Sequence, residues 1–257
     1  WPGTIAVSQD SDTITVCDYN NHAGHWHSYD VSGSGLTYID SSVRELGYQT
    51  HSITSSWDGA YYVSVSYNSD NITIQNLITG FPVETHGLDV NLTTGIGDPQ
   101  EVIYGPHGVG VYKTHRDTTL AVVACRRGDD QLRRFDIVSK TLIDSLLIPE
   151  SSHLDNRGPT MVAISPDNSK AYVTGFGANK LWVIDLAIPM TITETIDFAI
   201  SRPFSVEVSD DGGRVYVSCI GPIDGKGYVY AINGTTLTKV DSVEVGKQPY
   251  GIAWVPK

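Results

Sequence analysis

Between Met161 and Asp185 three short apolar runs are separated by turn residues, and this unit restricts the fold more than any other feature of the chain. Met161–Ile164 is closed by Ser165-Pro166-Asp167-Asn168, where proline presets φ for a tight reversal and Asp and Asn tolerate the corner. Lys170–Thr174 then alternates around Tyr172 and Val173, and Lys180–Asp185 alternates around Leu181 and Val183. Alternation of β-branched and aromatic residues on either side of turn residues predicts antiparallel strands. A three-strand meander with apolar residues on both faces cannot bury them alone. It needs other sheets stacked against it.

The unit recurs. Phe204–Cys219 repeats the apolar run, the Ser-x-Asp turn and the Tyr-Val-Ser strand, and Gly227–Ile232 supplies the next strand. Upstream, His107–Tyr112 precedes Leu120–Cys125 and Gln131–Ile137, and His51–Thr54 precedes Tyr61–Ser66 and Asn71–Leu77. At the N-terminus, Thr4–Gln9 and Asp12–Asp18 match the second and third strands of the unit, with no first strand before them. Gln248–Val255 matches a first strand. Five units at spacings of roughly 44 to 60 residues suit propeller blades. The expectation is one all-β domain over residues 1–257. It is a β-propeller of five blades of four antiparallel strands, its ring closed by the C-terminal strand joining the N-terminal blade, which leaves no open edge. The long intervals Asn20–Tyr48 and Leu77–Pro106 read as extended loops or an extra hairpin.

The wording of the unit resembles the YVTN family of β-propellers. Tyr172-Val173-Thr174, Tyr216-Val217-Ser218, Val183-Ile184-Asp185, Arg202-Pro203-Phe204 and Ser165-Pro166-Asp167 carry the likeness, clearly over Gly158–Pro256 and thinly before that. The resemblance implies a propeller of the kind common in secreted and surface-layer-associated proteins of bacteria and archaea. That family usually has about seven blades, so five is a departure. It implies fold far better than function.

Charge excludes one class of partner. A formal net charge of −12 lacks the basic stripe that nucleic acid requires. No run of about 18 apolar residues predicts a membrane span. Arg126, Arg127, Arg133 and Arg134 form a local basic cluster, read as a solvated edge strand whose charges deter aggregation in preference to an anion site. Cys17, Cys125 and Cys219 are an odd count without metal spacing and indicate no disulfide framework, although one pair can be drawn. The start at Trp1, without Met or an apolar leader, suits a processed mature chain or a trimmed domain. Abundant Ser, Thr, Tyr and Gly look extracellular, as do sequons at Asn71, Asn91 and Asn233.

In a propeller the start of each first strand and the loop after each second strand share one mouth. That geometry nominates His51, His107, Thr160, Phe204 and Tyr250, with Arg126 beside them, as a funnel for a small polar or aromatic ligand. Convergence of His51 and His107 with Cys125 and Cys219 would suit zinc or copper, but blades across a channel hold such residues too far apart for bonds near 2 Å. His22, His25 and His27 are the densest histidine cluster and a second metal candidate, against the simpler reading of a solvated loop. No nucleophile elbow, phosphate loop or dinucleotide fingerprint is present, so no catalytic residue and no cofactor is assigned. Glu207 is the only acidic residue on a first strand, which disfavours a two-carboxylate glycosidase. Asp18, Asp136 and Asp185, which recur at the ends of third strands, read as backbone caps.

These observations favour a non-enzymatic binding or scaffold module, extracellular or at the cell surface, with protein or carbohydrate partners and a place in a larger assembly. Exposed aromatics at Trp26, Tyr48, Tyr61, Tyr67 and Tyr104 are its candidate contacts, although most of them would instead serve as interblade core, where a propeller needs large side chains. The alternative is a lyase or lactonase using a histidine-lined funnel, with His51 or His107 as general base.

Overall fold

A computed structural model describes residues 2–8, 12–18, 25–42, 49–56, 58–76, 84–88, 93–94, 104–127, 130–149, 158–199, 201–222 and 225–254. They form five antiparallel sheets. The first holds β1 (Pro2–Val7), β2 (Thr13–Asp18), β3 (Trp26–Asp30) and β4 (Thr37–Ser42). The second holds β5 (Thr50–Ser55), β6 (Tyr61–Ser66), β7 (Asn71–Asn76), β8 (Glu84–Gly87) and the short β9 (Thr93–Thr94). The third holds β10 (Pro106–Lys113), β11 (Thr119–Cys125), β12 (Gln131–Asp136) and β13 (Thr141–Leu147). The fourth holds β14 (Pro159–Ile164), β15 (Lys170–Gly175), β16 (Lys180–Asp185) and β17 (Thr191–Asp197). The fifth holds β18 (Pro203–Val208), β19 (Arg214–Cys219), β20 (Gly227–Asn233) and β21 (Lys239–Val245). Strand order within every sheet follows the chain, as a meander requires. Two compact units divide the chain: Trp1–Val123 with Arg133–Ile143, and Ala124–Leu132 with Asp144–Lys257.

Within each unit, sheets pack face to face. In the first unit, Ala6, Cys17 and Trp26 from the first sheet pack on Ile53 and Tyr62 from the second. The Trp26 and Tyr62 rings meet edge-on at 6.1 Å, a favourable aromatic geometry, and the indole N–H donates to Ser64 Oγ at 3.3 Å. In the second unit, Tyr172, Leu181 and Val183 pack on Val206, Val208, Val215 and Val217. A Cβ at Gly175 would overlap the buried Trp182 ring, so the close approach of that ring requires glycine.

The repeated Ser-x-Asp turn is a hydrogen-bond clip between first and second strands. Ser165 Oγ donates to Asp167 Oδ1 at 2.6 Å and accepts the Lys170 N–H at 2.9 Å. Ser209 and Asp211 reproduce both bonds at 2.6 and 2.9 Å, and Ser56 and Asp58 do so at 2.7 and 2.9 Å. Asp136 and Asp185, at the ends of third strands, cap the following turns as expected, whereas Asp18 ends a second strand, β2. Asp136 accepts from the Val138 and Ser139 N–H groups, and Asp185 from the Ala187 N–H.

Three expectations are corrected. Pro2–Val7 and Thr13–Asp18 are the first and second strands of their sheet, not the second and third, and the interval after Asn20 supplies the other two. The first sheet therefore takes no strand from the C-terminus. Residues 249–254 form no strand and lie against the fifth sheet, with Trp254 stacked on Tyr216 at 5.5 Å and Tyr250 edge-on to Phe204 at 5.0 Å. Arg133 and Arg134 are not a solvated edge. They sit buried on β12, third of four strands, where Arg134 Nη1 donates to the Tyr112 hydroxyl at 2.9 Å and Arg133 lies 4.3 Å over the Tyr104 ring.

Hydrogen bonds from Ser165 and from Ser209 hold the Asp167 and Asp211 carboxyls below their ordinary pKa. Their contribution is therefore present above the unfolded carboxylate pKa of about 3.9 and lost as pH falls through the depressed folded value. Ser165→Ala should cost about 1 kcal/mol in urea unfolding at pH 7. That cost should shrink as pH falls through the depressed folded value and the acceptor Asp167 becomes protonated.

Candidate functional site

The predicted funnel residues fall into two groups, one in each unit. In the first unit, His51 and His107 are each the second residue of a first strand, β5 and β10. Their rings lie 4.1 Å apart, tilted by 34°. His107 is buried and His51 half-buried. Tyr67, directly after β6, stands edge-on to both, at 5.5 Å from His51 and 6.4 Å from His107. Separation across a channel does not apply to this pair, because β5 and β10 are in contact.

Backbone geometry around the pair is held by Asp70, which the sequence reading passed over. Its carboxylate accepts the Tyr104 N–H at 3.0 Å and the Gly105 N–H at 2.6 Å, immediately before the strand that carries His107. Its own carbonyl accepts the Leu88 N–H at 3.1 Å. Asp70 has φ of 48°, in the left-handed region where Asp and Asn are the most tolerated side chains after glycine. Gln49 before β5 is also left-handed, at φ 57°, and its carbonyl accepts the Tyr67 N–H at 3.0 Å. A run of Asp-Asn after a short turn was the sequence signal available, but turns with that composition are common throughout the chain.

In the second unit, Thr160, Phe204, Arg126 and Tyr250 gather around a residue not nominated, Phe176. Thr160 is buried and its hydroxyl accepts the Phe176 N–H at 3.3 Å, fixing the backbone there. The Phe176 ring meets Phe204 edge-on at 6.1 Å, and carries Arg126 at 5.8 Å and Arg202 at 4.5 Å over its face. Tyr250 is exposed at the border of this group.

The remaining candidates divide as follows. His25 and His27 are half-buried with rings 6.4 Å apart, and His22 lies outside the described residues. Among the described residues no three His, Cys, Asp or Glu side chains are placed to hold a metal ion. All three cysteines are buried free thiols. Burial pushes the Cys219 thiol up to about 12 and raises that of Cys17 as well, so neither supplies a thiolate near neutral pH. Burial also raises the Glu207 carboxyl.

Asn71 is fully buried on β7, so its sequon is closed to a glycan in the folded chain. Asn233 is half-buried, its Oδ1 accepting the Thr235 and Thr236 N–H groups, and Asn91 lies outside the described residues. Of the aromatics expected to be exposed, Trp26 is buried core and Tyr104 is covered by Arg133. Tyr61 and Tyr67 are half-buried, and Tyr48 lies outside the described residues.

The fold is that of a β-propeller with five blades. Several solved structures share its architecture. The periplasmic gluconolactonase PpgL of Pseudomonas aeruginosa is similar at a TM-score of 0.74 and 18% identity, over 99% of this chain and 76% of that one. A putative 6-phosphogluconolactonase of Bacteroides fragilis is similar at 0.73 and 16%, over 98% and 73%. Hydrazine synthase of Kuenenia stuttgartiensis is similar at 0.68 and 17%, over 95% of this chain and 66% of that one. No protein-family model and no curated protein matches the chain. At these identities the likeness establishes architecture, and the chain spans only two-thirds to three-quarters of each neighbour's length.

Asp70→Asn keeps the left-handed backbone accessible but turns an anionic acceptor into an amide facing two N–H donors. The variant should lose about 2 kcal/mol of stability in denaturant unfolding. It should also shift the His107 imidazole resonances in NMR, because the strand that carries them loses its anchor.

Proposed function

We propose that the chain is a propeller hydrolase that opens a small cyclic ester, with the His51–His107 pair at its centre. The observation that carries this reading is the 4.1 Å contact between a half-buried and a buried imidazole, walled by Tyr67 and anchored through Asp70. Support comes also from two structural neighbours named as lactonases. In this reading the accessible His51 takes a proton from an attacking water. Water oxygen bonds to the ester carbonyl carbon, the acyl C–O bond breaks, and the proton returns to the ring oxygen as the hydroxy acid leaves. His107 packs against its neighbour's ring and limits how it can turn. Histidine suits the task because its ordinary pKa lies near neutrality. Residence outside the cytoplasm belongs to the same proposal, and the periplasmic neighbour supports it.

A binding role is the second reading, favoured by one face of the first sheet. Ile5 pairs with Val16, and Val7, Ile14, Tyr29 and Tyr38 are opposite one another in register. Ile5 is 58% exposed, Val7 47% and Tyr38 53%, an apolar surface of the sort that contacts protein.

The deciding assay is ring opening of a panel of five- and six-membered sugar and aliphatic lactones, followed by pH-stat titration. His51→Gln should reduce kcat at least about 100-fold, within the range of general-base contributions. Its unfolding midpoint should stay within about 1 kcal/mol of the parent, as expected at a half-buried site. Absence of hydrolysis above background in the parent, or full activity in His51→Gln, overturns the hydrolase and leaves the binding role.

A further inference from the structure

The geometry points to an anion-binding site in the second unit, made by Arg202, Arg126, Phe176, Phe204 and Tyr250, for a small organic acid or phosphate monoester with a flat body. It is independent of the reaction proposed for the histidines.

Arg202 is the reason. Its backbone is left-handed, φ 54°, a conformation that a long side chain seldom takes and that the surroundings must enforce. Two bonds enforce it: the Arg202 N–H donates to Asn179 Oδ1 at 2.9 Å, and its carbonyl accepts the Ile220 N–H at 3.0 Å. So pinned, the residue directs its guanidinium over the Phe176 face at 4.5 Å. There it forms no ion pair with any described carboxylate, although acidic residues outnumber basic ones 29 to 17 in this chain. A fixed cation without a carboxylate in an acidic protein is arranged to receive one from outside. Guanidinium offers the planar fork that takes carboxylate or phosphate oxygens two at a time.

The surroundings define the rest of the ligand. Arg126 lies over the same ring at 5.8 Å, so two cations share one aromatic platform. Phe204 stands perpendicular to Phe176, at 89°, and Tyr250 perpendicular to Phe204, at 85°, so aromatic edges and faces step outward to the exposed Tyr250. Such a wall accepts a flat ring or the CH-rich face of a sugar beside the charged end. A bare inorganic ion would use the arginines and leave the wall empty.

Isothermal titration with benzoate, phenyl phosphate and inorganic phosphate in 150 mM salt tests this. Benzoate or phenyl phosphate should bind with Kd of about 1 mM or tighter, and inorganic phosphate more weakly. Arg202→Met should weaken both organic anions at least about tenfold, and Arg202→Lys, which keeps charge but loses the fork, by less. Phe176→Leu should weaken the organic anions and leave inorganic phosphate unchanged. Thermal melts of each variant confirm folding, and His51→Gln should bind as the parent does. No heat from either organic anion at 10 mM overturns the proposal. So does equal affinity in Arg202→Met, or equal affinity for phosphate and phenyl phosphate.

Discussion

A short antiparallel meander that is apolar on both faces has no stable existence by itself, and the rest of this structure depends on how that constraint is met. Burial comes from sheet against sheet, as where Trp26 meets Tyr62 and where Tyr172 and Leu181 meet Val206 and Val217. Large side chains are needed because neighbouring sheets stack about 10 Å apart. Within the fourth sheet, the Trp182 ring lies so close to the neighbouring strand that residue 175 there must be glycine. Once sheets are committed to that packing, only their ends remain free for chemistry.

Those ends are not equivalent. The turn between first and second strands repeats one clip, Ser to Asp to backbone, at Ser56, Ser165 and Ser209. It serves the fold and uses its polar groups on itself. At the other end, two positions recur without a fixed residue: the second of each first strand and the first after each second strand. They hold His51 and Tyr67, His107 and Arg126, Thr160 and Phe176, Phe204 and Ile220. Regularity in the hairpins thus gives each variable residue a defined place. Left-handed residues occur at this end as well as in the turns at the other, and here Gln49, Asp70 and Arg202 are each tied down by a backbone or carboxamide hydrogen bond.

First, second and third strands were readable in four of the five sheets, because most of them are buried on both faces and stand out as short apolar runs between turn residues. Fourth strands were not. Residues of β17 and β21 are mostly exposed, so solvent accepts either face and the period of two disappears. Phase failed at the N-terminus for a related reason. Thr4–Val7 and Thr13–Cys17 are both short β-branched strands, and their position in the sheet depends on what pairs with them afterwards. Trp26–Asp30 and Thr37–Ser42 settled it by completing the sheet without the C-terminal residues.

By itself the sequence determined the all-β class, the repeat, the clip and the nomination of His51 and His107, since each follows from local periodicity and turn chemistry. Tertiary structure decided which nominated residues meet. It set the two imidazoles 4.1 Å apart, buried Arg133 and Arg134 and closed Asn71 to modification. It also brought forward Asp70, Phe176 and Arg202. Their roles rest on contacts between loops remote in sequence, and no local period encodes a contact of that kind.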